Sequence, residues 1–178
     1  SNSGTAVWSN NLTLTGAASV SGNSGNITLS GSITGGGYAL TLGGATGGTV
    51  SSVLNTTVSG LVKDGAGTWA LSGANTYSGT TTISAGILKL GAAGGATNTP
   101  LGTTGAGTTV SSGAALDLNG FNLGTAEALT LNGTGVSSGG ALMNTGNAAT
   151  YSGLITLASD SSIVGGTGSI AITHAGTI

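Results

Sequence analysis

The chain has 178 residues, a net charge of −2 and only 3% charged positions, yet 38% of it is hydrophobic and Gly alone supplies 37 residues. So many aliphatics and so few charges exclude a charge-rich disordered chain. Two Lys/Arg residues in all exclude nucleic-acid and anionic-membrane binding, which need clustered basic groups.

The absence of Cys rules out a disulfide framework and thiolate chemistry. Collagen needs a strict Gly period and abundant Pro, whereas Pro100 is the single proline. No window spaces its apolar residues at 3.6, and Gly, Ser, Thr and Asn disfavour helix interiors. No apolar run approaches the ~20 residues of a membrane-spanning helix. Ser1–Asn10 lacks the Met, basic region and apolar core of a secretory signal, so the sequence reads as a mature or excised segment.

In chain order, residues 1–44 predict three short strands of the form apolar–Thr–apolar: Leu12–Leu14, Ile27–Leu29 and Leu40–Leu42. That period of two is the pattern of a half-buried strand with Thr outward. Val20 and Ile33 stand alone between them as inward candidates. Residues 45–59 are weaker. Over residues 60–90 the spacing points Trp69, Leu71, Ile83, Leu88 and Leu90 inward and Thr68, Ala70 and Lys89 outward. Residues 91–107 hold the only Pro and no alternation, and read as a protruding loop. Strands resume at Val110, Leu116–Leu118, Phe121–Leu123, Leu129–Leu131, Leu142, Ile155–Leu157, Ile163 and Ile170–Ile172.

Two internal matches stand out. Ile83–Leu90 matches Val110–Leu118 with one extra residue, which sets Lys89 against Asp117. Residues 8–29 match residues 151–172 without a gap at an offset of 143, every large apolar position of the first stretch meeting a large apolar one. This predicts that Trp8 and Tyr151 occupy equivalent places in a repeating unit.

Strands this short, with corners this frequent, fit a β-sandwich poorly, since its strands run roughly 5–6 residues. They fit a solenoid, whose core is a column of aliphatics contributed one or two per strand. The expectation is one all-β segment over residues 1–178, a β-solenoid of about 8 coils of roughly 20 residues.

Residues 60–90 carry a specific resemblance. Gly60, Leu61, Lys63, Gly65, Gly67, Thr68, Leu71, Ser72, Gly73, Asn75, Thr76, Tyr77, Gly79, Thr81, Ile83, Gly86, Leu88 and Leu90 together resemble the autotransporter-associated β-strand repeat, or passenger-associated transport repeat. Trp69, where an aliphatic is usual, and Ile87, where Thr is common, depart from it. The resemblance implies a right-handed parallel β-helix in the passenger of a large exported surface protein, with a repeat linked to transport and folding and no catalytic residues.

The titratable side chains singled out are Lys63, Asp64, Lys89, Asp117, Glu127, Asp160 and His174. Lys63, Asp64 and Lys89 read as surface, with Lys89–Asp117 as an exposed pair between neighbouring coils. The four acids are scattered and Arg is absent, so neither an acid–base pair nor an enzyme is expected. His174 stands alone, without the partners a metal needs. No catalytic, cofactor or metal residue is therefore assigned. Thr-x-Thr segments, as at Thr80–Thr82, do not recur with the regularity an ice-binding face needs. The aromatics Trp8, Tyr38, Trp69, Tyr77, Phe121 and Tyr151 read as core or corner packing.

The functional expectation is a rod, spacer or fibre segment of a bacterial cell-surface or extracellular protein. The alternative is an adhesin module presenting Thr/Asn ladders or the 91–107 loop to glycans or cell surfaces. Low charge and the absence of polar end caps predict end-to-end self-association, with little repulsion to oppose lateral packing.

Overall fold

The computed structural model describes residues 4–55 and 57–174, and is a parallel β-solenoid of eight coils. The outermost ends of the predicted segment, residues 1–3 and 175–178, lie outside the described residues. Each coil visits three sides in turn, here called faces A, B and C. Face A is an eight-stranded sheet that runs from Ala6–Trp8 through Thr68–Leu71 to Ile163–Val164, each strand hydrogen-bonded to the next coil's. Face C is a seven-stranded sheet from Ala18–Ser21 to Ile155–Ser161. Face B is built of shorter pieces, among them Leu12–Leu14 on Ile33–Gly35 and Ala149–Tyr151 on Ile170–Ile172. Apart from a short antiparallel hairpin, the strand pairs are parallel and in register, with one shift on face C between Leu131 and Gly133.

The alternation in the sequence sets the core. On face A the column Ile27, Gly48, Trp69, Leu88, Leu116, Leu142 points inward, with Leu29, Val50, Leu71 and Leu90 beside it. On face C the inward columns run Leu40, Leu61, Thr81, Thr108, Leu129 and Leu42, Lys63, Ile83, Val110, Leu131. A three-residue strand has no stability alone; each coil is held by ladder bonds and by the aliphatics of its two neighbours. Burying each Leu, Ile or Val contributes about 1.5–3 kcal/mol.

Coil length is set at the corners. Ala6 lies over Ile27, Ile27 over Gly48 and Gly48 over Trp69, each a step of 21 residues. Leu88 to Leu116 takes 28 residues and Leu116 to Leu142 takes 26. The longer steps absorb a hairpin in one coil and a single 3₁₀ turn, Val136–Ser138, in the next.

That hairpin corrects the expectation for residues 91–107. Asn98–Thr99 pairs antiparallel with Gly102–Thr103, and its tip is tucked into the core: Thr99, Pro100, Leu101 and Gly102 are buried. Only residues such as Ala93, Gly95–Thr97 and Gly105–Ala106 stand exposed. Asn75 draws the tip in. Its Nδ2 donates to Pro100 O at 2.6 Å, its Oδ1 accepts from Leu54 N at 2.8 Å, and its own N–H donates to Thr99 O at 3.0 Å.

The offset of 143 is corrected too. Trp8 lies on face A, whereas Tyr151 lies on face B. Leu12 lies on face B, but Ile155 is on face C; Val20 is on face C, but Ile163 is on face A. The offset equals six coils plus one face, so the two stretches are not structurally equivalent. All three faces use the same apolar–x–apolar strand, and a shift by one face matches apolar with apolar as well as a true repeat does. The shorter match holds: Lys89 sits opposite Asp117.

The outward residues of face C form a ladder of Ser19, Thr41, Val62, Thr82, Thr109, Thr130 and Thr156. Threonines thus recur on one side more regularly than the spacing suggested, though with one outward rank per strand. In the outermost coils the apolar residues lack a neighbour: Trp8 is 53% and Leu157 57% exposed. Ala6, Val7, Trp8, Leu12 and Ile27 line an apolar concavity of about 340 Å³ at the first coil.

Candidate functional site in the coil corners

The charged residues do not gather in one place; they mark corners. Lys63 is the largest departure from expectation. It is fully buried, in the inward column between Leu42 and Ile83. Its Nζ reaches the corner between faces C and A, where it donates to Asp64 O at 2.9 Å, Gly65 O at 2.8 Å and Ala85 O at 2.8 Å. One ammonium thus ties two successive coils together. Burial pulls its pKa down to about 8, opposed by the charge of Asp64. A Cβ at Gly86 would press on that ammonium, and Gly86 also has φ +65°. The signal for Lys63 was its phase: in Leu61–Val62–Lys63, a buried Leu61 puts Lys63 inward too. Asp64, by contrast, is exposed as expected, its Oδ1 accepting from Gly65 N at 2.7 Å.

Lys89 and Asp117 form the expected pair, with Nζ to Oδ2 at 3.5 Å, but only Lys89 reaches solvent; Asp117 is buried. Asp117 organises the corner between faces A and B. Its Oδ1 accepts from Asn119 N at 2.8 Å and Thr145 N at 3.0 Å, and its Oδ2 accepts from Thr145 Oγ1 at 2.6 Å. Those bonds satisfy the carboxylate without the lysine, so the half-exposed ion pair adds about 1 kcal/mol or less. Asn144 acts alike: its Oδ1 accepts from Gly120 N at 2.7 Å, and its Nδ2 donates to Asn147 O at 2.7 Å and Ser169 O at 3.0 Å.

Glu127 lies in the corner between faces B and C and is also fully buried. Thr108 Oγ1 donates to its Oε1 at 3.1 Å, while Oε2 has no partner. Burial pushes its pKa up to about 7. The missed signal is again phase: Leu123, Thr125, Glu127, Leu129 and Leu131 alternate with small or polar residues and are all buried. Tyr151, one coil on, donates its hydroxyl to Glu127 O at 2.8 Å. Tyr77 stands in the corner between faces B and C of coil 4; Thr81 Oγ1 donates to Leu101 O at 3.0 Å and so accepts from the Tyr77 hydroxyl at 2.6 Å. Burial holds both phenols well above their usual range.

Asp160 is exposed, and His174 is half-buried with Nδ1 3.3 Å from Ser152 O. Among the described residues no three His, Cys, Asp or Glu side chains converge as a metal site, and no helix is long and apolar enough to cross a membrane, which says nothing of β-barrels. Trp69, Tyr77 and Tyr151 are core residues; Trp8 and Tyr38 are exposed and stand on different coils.

Stacked parallel coils with amide-, lysine- and acid-braced corners define a β-solenoid. Residues 61–90 of it match the Passenger-associated-transport-repeat family, so the chain carries a transport repeat of the autotransporter passenger type. No curated protein and no solved structure matches the chain.

Proposed function

We propose that this segment is a non-catalytic rod or spacer in the passenger of an exported bacterial surface or extracellular protein. One observation carries the reading: of its chemically distinctive side chains, Lys63, Asn75, Asp117 and Asn144 are buried and turned to corner backbone, and Glu127 is buried against Thr108. Side chains used in this way build coils, and leave on face C an outward rank of Ser19, Thr41, Thr82, Thr109, Thr130 and Thr156 broken only by Val62. The transport repeat over residues 61–90 supports export, because its family implies a passenger. We further propose that each end is covered by another coil of the same kind, in the same chain or in another. The uncovered Trp8, Leu157 and Ile172 support this, since exposed strand edges invite pairing.

Glycan-array and cell-adhesion assays on this chain separate the spacer from an adhesin. The expected result is no retained glycan or cell contact, and end-to-end assembly that strengthens with concentration. Specific glycan capture lost on Tyr38→Ala or Trp8→Ala would replace the spacer reading with the adhesin one.

A further inference from the structure

Glu127 is a buried acid in a molecule with almost no charge to answer it. The two Lys/Arg side chains of the chain are both engaged elsewhere: Lys63 on three carbonyls, Lys89 beside Asp117. Asp64 and Asp160 are exposed, and His174 lies on Ser152 O. The groups that face Glu127 are neutral. Thr108 donates to Oε1 from the preceding coil. Tyr151, from the following coil, is spent on the Glu127 carbonyl, and Tyr77, from two coils earlier, is spent on Thr81. The hydroxyl of Thr125, two residues before, is itself buried and unpartnered. Gly153 of the next coil passes so close to the Glu127 carbonyl that a Cβ there would collide with it.

A carboxylate in this setting has one hydrogen bond for two oxygens and no counter-ion, whereas the neutral acid costs far less to bury. We propose that this corner of coil 6 is a proton-dependent latch: with Glu127 as the neutral acid it holds coils 5, 6 and 7 closed, and release of the proton to solvent loosens it. The coils meet there through backbone bonds, Thr108 N to Ala128 O at 2.8 Å and Leu129 N to Leu154 O at 2.8 Å. Opening the corner hydrates the carboxylate and frees those two amides.

The direction follows from proton linkage. A carboxyl that ionises near 7 in the folded corner, and near its ordinary 4.5 when hydrated, favours the closed corner fully below the ordinary value. It loses that preference as pH rises through about 7. The difference corresponds to about 300-fold in the opening equilibrium, at tenfold per pKa unit.

Amide hydrogen exchange on the intact chain between pH 4.5 and pH 8.5, corrected for intrinsic exchange, tests this. In the wild type, opening at the Thr108 and Leu129 amides is expected to rise about 150-fold across that range, since the opened carboxyl is already half ionised at pH 4.5, while Leu40 in coil 2 stays level. In Glu127→Gln the rise is expected to vanish. Equal pH profiles in wild type and Glu127→Gln overturn the latch. Should Glu127→Gln fail to fold, Thr108→Val decides. Loss of the donor to the carboxylate is expected to move the transition to higher pH, and an unmoved transition overturns the proposal.

Discussion

Trp69→Ala is expected to lower the stability of the solenoid by about 4 kcal/mol, as large-to-small changes of buried Trp do. Trp69 is fully buried and fills the middle of the core, with its Nε1 donating to Gly43 O at 2.9 Å. It lies in register with Gly48 of the coil before and Leu88 of the coil after. At Gly48 the chain leaves room: a Cβ there would collide with Ile27 O and touch the indole ring. The neighbouring coil is thus shaped to the ring, and the backbone contact stops Gly48 from growing to refill the hole. Trp69→Leu, the aliphatic choice usual in the transport repeat, should cost less, about 2 kcal/mol, because part of the volume is kept. Urea unfolding followed by far-ultraviolet circular dichroism measures both. Equal stability of wild type and Trp69→Ala would mean that the ring is not in the core.

Lys63→Met is expected to cost about 3 kcal/mol, although it replaces a buried charge by an apolar side chain of similar length. Exchanges of that kind are often neutral when a buried ion pair is replaced whole. Here the acceptors are three backbone carbonyls that stay behind, and unsatisfied partners carry the penalty. The loss should be local. Ser84 N donates to Lys63 O at 2.8 Å at the same corner, so its amide should lose protection before those of coils 6 and 7. Lys63→Arg should not rescue it, since a planar fork does not fit acceptors set for a compact ammonium. Uniform loss across all coils would point instead to a general packing defect.

The architecture was legible because a solenoid writes its fold locally. In Leu12–Leu14, Leu40–Leu42 and Leu88–Leu90 the alternation fixes which residues face in, and the Gly- and Asn-rich gaps fix where the chain turns. The transport-repeat residues were legible for the same reason. Legibility failed where residue type was weighed above phase. Lys63 reads as solvated because it is ionisable, and Glu127 as one of four scattered acids, yet each continues an inward alternation, from Leu61 and from Leu123. It failed again where local likeness was taken for long-range equivalence. Trp8 and Tyr151 look alike because every face uses the same strand pattern, and the pattern carries no label for the face. The tucked hairpin at 98–103 was hidden because its anchors, Asn75, Tyr77 and Thr81, lie a coil away in sequence.

The central claim, that the chain is a stack of coils in register, is tested most directly by distances along one outward column. Spin labels at Ser19 paired with Thr109, Thr130 and Thr156 lie four, five and six coil steps apart on face C. At about 4.8 Å per step, pulsed dipolar spectroscopy should give backbone separations of about 19, 24 and 29 Å, rising evenly. Separations that do not rise in that order, or a Thr156 label closer to Ser19 than a Thr109 label, would contradict the stack.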